Sequence, residues 1–402
     1  MRDKPYCKAP WIGLVYESNV GCKPCCEYIG GTTGVIPASF MGKYEDYKDS
    51  AWLKNFKAMM YLPTMNPGCK ICIDQEEANK KFRDLGHGGD RLSRRQKFDR
   101  FDVDFHGENK IKRFDYRPGN KCNLSCRMCH PEASSLREEE EIALGRRDKI
   151  FKVEDMSDAY SIDLNECENL MILGGEPSID LEVRKWIDHV KNYDMIIGIT
   201  TNATNASDKW FDSIDQIKRL DLVLSIDGTG KTQDFQRKGS DWNLVKRNIM
   251  KYKERFQKRD HTFLNIAVTA SAINFPIIDQ WWEEMMALDI PIFFSQVNEP
   301  KHYSLKAIPS IFKEDMIEYL EDWKIKNPAS DMSMAQKMNW NSNSNTRARQ
   351  LLEAEECIVL LERNDFDKAT HDEFIEEINV MDTWRNESII DLDNRFEEIL
   401  NA

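Results

Sequence analysis

Three cysteines within eight residues, in Lys121-Cys122-Asn123-Leu124-Ser125-Cys126-Arg127-Met128-Cys129-His130, constrain this chain more than any other stretch. A Cys-x3-Cys-x2-Cys spacing brings three thiolates onto one small inorganic centre, and thiolate is the ligand that iron–sulfur clusters require. Three is one short of four. A [4Fe–4S] cluster held by three cysteines keeps one iron without a protein ligand, and that iron is open to chelate another molecule, which suits chemistry rather than storage. Zinc is the alternative, because closely spaced cysteines of an intracellular chain bind it at least as often.

The flanks bear on the choice. Ile111 to Tyr116 reads as a strand, and Pro131 to Gly145, rich in Glu, Leu and Ala with Pro at its start, reads as a helix. The cysteines are therefore expected in a loop leaving the C-terminal end of a strand, where α/β barrels keep their chemistry. Further strand-like runs follow at Leu170–Leu173, Met195–Thr201, Asp221–Ile226, Phe263–Thr269 and Ile292–Gln296. Helical periodicity separates them at Leu181–Tyr193, Asp208–Lys218, Leu244–Phe256 and Ile277–Leu288. Six β-then-α units imply a parallel sheet with right-handed crossovers, curled into a partial barrel.

Chemistry-bearing residues recur at the predicted strand ends. Gly174-Gly175-Glu176-Pro177 follows the second strand: the glycines let backbone approach a ligand, Pro177 stiffens the turn, and Glu176 is an acceptor for an ammonium. Thr200-Thr201-Asn202-Ala203 ends the third, Ser225-Ile226-Asp227-Gly228 the fourth, and Arg237 follows in Phe235-Gln236-Arg237-Lys238-Gly239. By themselves these residues read as turns, a helix cap and a surface charge. Asn274, after the fifth strand, is a weaker candidate.

Together, the cysteine spacing, the Gly-Gly-Glu-Pro turn and the strand-end residues resemble the radical S-adenosylmethionine (radical SAM) enzymes. The resemblance implies a partial (β/α)6 TIM-like barrel of α/β class and a [4Fe–4S] cluster on Cys122, Cys126 and Cys129 whose open iron binds SAM. It implies one-electron reduction of SAM to a 5′-deoxyadenosyl radical that abstracts hydrogen from a substrate. It assigns cofactor contacts to Gly174, Gly175, Glu176, Pro177, Asn202, Ser225, Asp227 and Arg237, with Glu176 at the methionine ammonium, Arg237 at its carboxylate and Ser225 at the ribose. Two positions depart from the family pattern: Met128 where an aromatic residue is common, and Ala203 where Gly is usual, which puts a positive φ there in question.

The first seventy residues carry a second cysteine set: Cys7, then Cys22, Cys25 and Cys26, then Cys69 and Cys72 in a Cys-x2-Cys. Trp11–Tyr16 reads as a strand before the turn signal Ser18-Asn19-Val20-Gly21, and Tyr47–Met60 reads as a helix. This arrangement resembles the twitch module, the short form of the SPASM domain. The resemblance implies an auxiliary [4Fe–4S] cluster on Cys7, Cys25, Cys69 and Cys72, acting as electron relay; Cys26 stands as alternative to Cys25, and zinc as alternative to the cluster.

The expected divisions are residues 1–85 for the twitch-like module, 86–110 for a polar and basic linker, 111–300 for the barrel and 301–402 for a helical extension. The linker contains Gly86-His87-Gly88-Gly89 and a basic run from Arg91 to Arg100. The extension reads as helices at Phe312–Lys326, Thr346–Glu362, His371–Val380 and Asn386–Leu400, interrupted by the polar stretch Asn339–Asn345.

With 402 residues the chain has room for such an architecture. Sixty-nine acidic against 56 basic residues give a formal charge of −13, which disfavours general nucleic-acid binding. There is no run of eighteen apolar residues and no apolar segment behind Met1, so neither a membrane span nor a signal peptide is expected. Eleven cysteines then suit metal use in a reducing cytoplasm better than disulfides. The expected function is that of an oxidoreductase or peptide-modifying radical SAM enzyme, with a peptide or protein as favoured substrate and a flavodoxin or ferredoxin as reductant. The rival is a zinc- or iron–sulfur-stabilised binding protein on an inactive barrel.

Overall fold

The computed structural model describes residues 3–28, 37–84, 93–148, 155–328 and 346–402. The Gly86-His87-Gly88-Gly89 stretch and Asn339–Asn345 lie outside the described residues. Among the described residues ten strands run in chain order: β1 (Gly13–Glu17), β2 (Gly21–Lys23), β3 (Arg113–Arg117), β4 (Ser125–Cys126), β5 (Asn169–Ile172), β6 (Ile196–Thr201), β7 (Arg219–Ser225), β8 (Arg237–Lys238), β9 (Thr262–Ala270) and β10 (Ile292–Gln296). Eight of them form an α/β central sheet in the order β10-β9-β7-β6-β5-β3-β1-β2, while β4 and β8 make a separate pair. The ladders β1–β3, β3–β5, β5–β6 and β9–β10 are parallel, and only the hairpin β1–β2 at the end of the order is antiparallel among the paired registers of this sheet.

Local sequence explains the elements. In β9 the alternate residues Leu264, Ile266, Val268 and Ala270 are buried, the period of two that a strand demands. Between strands, the helix Leu181–Val190 buries Val183, Trp186, Ile187 and Val190 at helical spacing and is capped by Asp180, whose carboxylate accepts from Glu182 N–H at 2.9 Å. The helix Trp242–Phe256 repeats the device: Asp241 caps it, and Trp242, Val245, Ile249, Tyr252 and Phe256 face the core.

The structure departs from the sequence expectations in several places, among them Pro131–Gly145, where a 3-10 turn, Pro131–Ala133, precedes the helix Ser135–Ala143. Trp11 and Ile12 belong to a short helix, Ala9–Ile12, started by Pro10 in its first turn, so the strand begins only at Gly13. That strand pairs in parallel with β3 and thereby extends the central sheet. Tyr47–Met60 is two helices, Tyr44–Tyr47 and Ala51–Met59, because Ser50 caps the second by accepting from Leu53 N–H at 3.0 Å. The basic run ends in a helix, Arg94–Asp99, held by a Ser93/Gln96 capping box. Finally, Asn386 adopts the left-handed conformation (φ 50°) and ends the helix Lys368–Arg385, so Asn386–Leu400 holds only a 3-10 turn and the helix Arg395–Leu400.

The chain divides into two compact units. One comprises Met1–Lys121, Glu138–Ile199 and Lys209–Leu220; the other comprises Cys122–Arg137, Thr200–Asp208 and Asp221–Ala402. In the first, Trp11, Ile12, Tyr28, Phe56, Met60, Phe98 and Phe101 form a core beside the N-terminal cysteines. In the second, helix Thr346–Glu362 carries a buried Glu353 whose Oε1 accepts from Ile292 N–H at 2.7 Å, at the start of β10. No helix among the described residues is long and apolar enough to cross a membrane.

Burial lifts the Glu353 carboxyl from an ordinary 4.5 to about 7, against the opposing pull of Arg349. The folded state therefore binds its proton more tightly than the unfolded state, and stability falls as pH rises from about 4.5 through 7, by at most about 1.4 kcal/mol per pH unit. Glu353→Gln keeps the acceptor and removes the titration. In urea unfolding at pH 5 and pH 8, the wild type should lose stability relative to this variant at the higher pH; parallel behaviour would contradict the assignment.

Candidate active site

The cysteine loop is tied down along its length within its own unit. Cys122 N–H and carbonyl both meet Ser135 Oγ at 3.3 Å, and Ser134 Oγ donates to the Leu124 carbonyl at 2.6 Å. Leu124 is fully buried, and the Cys129 N–H closes a turn onto the Cys126 carbonyl at 3.1 Å. Residues Ser125 and Cys126 pair antiparallel with Lys238 and Arg237, which places Arg237 opposite Cys126 in register. The three thiols are half-buried and form no disulfide. Burial pushes the Cys126 thiol up to about 11 and that of Cys129 to about 12, partly opposed by Arg237.

Arg237 faces two ways. Its Nε lies 2.7 Å from Asp227 Oδ2, and its Nη1 lies 4.0 Å from Cys126 Sγ. Burial works against the charge, but Asp227 and the neighbouring thiols hold the guanidinium pKa above its ordinary value. Asp227 is buried and fixed from β9, where Thr269 N–H donates to its Oδ1 at 2.8 Å. The expected methionine-carboxylate ligand is thus also the partner of a buried acid.

Asn202, buried after β6, accepts from Thr204 N–H at 3.0 Å and donates to Asn123 Oδ1 at 3.1 Å, so it braces the cysteine loop directly. Ala203 takes φ +60° despite its Cβ, at a cost of about 1–2 kcal/mol. Asn248, on helix Trp242–Phe256, holds that turn by donating to the Ala203 and Thr204 carbonyls, each at 2.9 Å. Sequence reasoning missed Asn248; its only signal is a polar residue on the buried face of an amphipathic helix. Ser225 ends β7 half-buried. Asn274 spends its amide within the protein. It donates to the Asp227 and Thr269 carbonyls at 2.7 and 3.0 Å and accepts from Ser271 N–H and Oγ at 2.9 Å, which removes it from the ligand candidates.

In the other unit, Gly174 and Gly175 have φ +89° and +53°. A Cβ on Gly174 would stand 2.6 Å from the Gly119 carbonyl oxygen, and one on Gly175 would stand 2.2 Å from that of Lys121, the residue before Cys122. Glu176 N–H donates to the same Lys121 oxygen at 2.8 Å. These glycines therefore serve close packing of backbone on backbone. The Glu176 side chain is buried, and its Oε1 accepts from Ser178 N–H at 3.0 Å, capping the turn Pro177–Ile179.

Residues 116–270 match the family model described as the radical SAM superfamily. This stretch is a radical SAM domain. Similar solved structures include anSMEcpe with bound AdoMet (20% identity, 55% of this chain and 63% of that one, TM-score 0.40). Streptococcus suis SuiB bound to its precursor peptide SuiA follows at 14% identity, 65% of this chain and 53% of that one, and TM-score 0.38. TsrM from Kitasatospora setae, a radical S-adenosylmethionine methyltransferase with cobalamin and a [4Fe–4S] cluster bound, is 14% identical over 45% of this chain and 34% of that one, with TM-score 0.33. The chain spans less than two thirds of the length of each. Among curated proteins none matches.

The radical SAM domain contains Cys122, Cys126 and Cys129, whereas the N-terminal cysteines lie outside it. Cys7, Cys25, Cys69 and Cys72 line one cavity with Tyr6, Tyr28, Phe56 and Met60. Backbone N–H groups already point at two of the sulfurs: Ala9 at Cys7 and Glu27 at Cys25, each at 3.4 Å. Burial pushes Cys7 to about 12 and Cys69 to about 11, and raises Cys72. Cys22 and Cys26 do not line that cavity: Cys22 Sγ lies 4.0 Å from the Gly42 carbonyl, and Cys26 Sγ lies 3.7 Å from Glu27 Oε1 and within hydrogen-bonding reach of the Cys25 thiol. Among the described residues no three His, Cys, Asp or Glu side chains are placed to hold a single metal ion. A cubane cluster spreads its ligands over separate irons, and four thiols around one cavity are the donor set it takes.

Proposed function

We propose that this chain is a radical SAM enzyme in which Cys122, Cys126 and Cys129 hold a [4Fe–4S] cluster with one iron open to S-adenosylmethionine. The observation that carries the reading is the cysteine loop, three half-buried thiols on a backbone pinned by Ser134, Ser135 and Asn202, inside a radical SAM domain. When bound, the cluster and SAM supply reductive cleavage to a 5′-deoxyadenosyl radical that takes hydrogen from a substrate.

The protein's own part is to bind and to orient. Gly174 and Gly175 set the turn that presents Glu176 to the methionine ammonium, and Pro177 stiffens it. Arg237 presents its Nη side to the methionine carboxylate while Asp227 fixes the Nε side. Ser225 and Asn202 serve the nucleoside. Cys7, Cys25, Cys69 and Cys72 hold an auxiliary [4Fe–4S] cluster with every iron ligated, suited to relaying an electron. A flavodoxin or ferredoxin is the proposed reductant. A peptide or protein is the proposed substrate, following the resemblance of the N-terminal cysteines to twitch and SPASM modules.

Anaerobically purified protein should be brown and contain iron and acid-labile sulfide. Colourless protein carrying zinc would overturn the reading. Within the site, Glu176→Gln keeps the cap on Ser178 and removes only the charge, so SAM binding should weaken by about 1.5–3 kcal/mol, the range for a hydrogen bond to a charged group. Isothermal titration of the reconstituted protein measures it, and an unchanged affinity would remove Glu176 from the site. Arg237→Ala is a poorer test, because it strands the buried Asp227 carboxylate.

A further inference from the structure

Arg127 sits between two of the cysteines and is completely buried. A buried guanidinium survives only with partners, and those of Arg127 come from the far end of the chain. Its Nη2 donates to Asp382 Oδ1 at 2.6 Å and to Glu387 Oε2 at 2.9 Å, and its guanidinium lies 3.9 Å from the centre of the Phe235 ring. Glu387 also takes an ion pair from Lys238, the residue of β8 opposite Ser125. Arg385 donates to the Ser125 carbonyl at 2.7 Å and to its Oγ at 3.1 Å. The carboxylates are themselves fixed: Asp382 Oδ2 accepts from Ile389 N–H at 2.7 Å, and the Asp382 carbonyl accepts from Glu387 N–H at 2.9 Å across the left-handed Asn386.

We propose that the end of helix Lys368–Arg385 and the turn after it form a clasp that positions the cysteine loop and sets the electrostatic field at its sulfurs. Two cations, Arg127 and Lys238, meet two carboxylates, Asp382 and Glu387, and Arg385 adds a third cation against Ser125, so the clasp sets fixed charges of both signs beside the thiols. The helical extension is thereby part of the redox centre, and Asp382, Glu387 and Arg385 are positioning residues that act through Arg127 and Ser125. This inference rests on the cluster assigned above to Cys122, Cys126 and Cys129.

A positively charged group near an iron–sulfur cluster favours the reduced, more negative state, so each change of charge in the clasp has a sign that can be read. In the reconstituted protein, Glu387→Gln removes a negative charge and should shift the midpoint potential of the three-cysteine cluster upward, as followed by EPR during a redox titration. Arg127→Gln removes a cation and should shift it downward. Arg127→Lys keeps the charge and should restore most of the potential. If Arg127→Gln fails to fold, Glu387→Gln and hydrogen exchange still decide. In the metal-free protein, residues 122–130 should exchange faster in Glu387→Gln than in wild type. Unmoved potential and unmoved exchange in a loaded, folded Glu387→Gln protein would overturn the clasp alone; a wild type that takes up no cluster would overturn the assigned function with it.

Discussion

Cys126→Ala should reduce 5′-deoxyadenosine formation from SAM to the level seen without protein. Enzymes exceed their uncatalysed reactions by roughly a millionfold or more, so the loss should run to the limit of detection. The reason is ligand number. Two remaining thiolates leave two irons of the cluster without a protein ligand, and such a cluster is labile. Cys126 is also the thiol that β4 places opposite Arg237, with its sulfur 4.0 Å from the guanidinium Nη1. Cys357 supplies the control, because it is buried on helix Thr346–Glu362 and belongs to neither cysteine set. Cys357→Ala should fold less stably, lose no iron and cleave SAM. Chromatography of the nucleoside product, with iron counted on the same samples, separates the two variants; full product formation by Cys126→Ala would rule the assignment out.

The double variant Cys69→Ala/Cys72→Ala should lower iron from about eight to about four per chain, at four irons per cluster. Both residues line the N-terminal cavity with Cys7 and Cys25, and both lie outside the radical SAM domain. SAM cleavage should therefore persist while conversion of the substrate stops. The change removes two ligands at once, which prevents Cys22 or Cys26 from substituting for a single missing one. About four irons and one zinc in the intact protein would make the N-terminal set a structural zinc site.

The six central-sheet strands from Arg113 to Gln296 and the helices between them were legible because their signals are local: burial of alternate residues, as in Leu264 to Ala270, and helical spacing behind an acidic cap, as at Asp180 and Asp241. The cysteine motif was legible for the same reason. What escaped depends on residues distant in sequence. The parallel pairing of Gly13–Glu17 with Arg113–Arg117 joins segments about a hundred residues apart, and parallel ladders leave no turn signal between their strands. Arg127 reads as an ordinary charge until Asp382 and Glu387 are placed beside it. Asn274 misled for the opposite reason: a polar residue at a strand end reads the same whether it faces a ligand or, as here, satisfies two backbone carbonyls. Ala203 shows the limit of a steric rule, since Asn248 anchors a left-handed turn that its side chain alone disfavours.

The most direct measurement is the reaction of SAM with the wild-type protein, reconstituted with iron and sulfide under anaerobic conditions and reduced with dithionite. 5′-Deoxyadenosine and methionine should form in equal amounts, dependent on reductant. A fully loaded, reduced protein that binds SAM and returns it intact would contradict the proposed function.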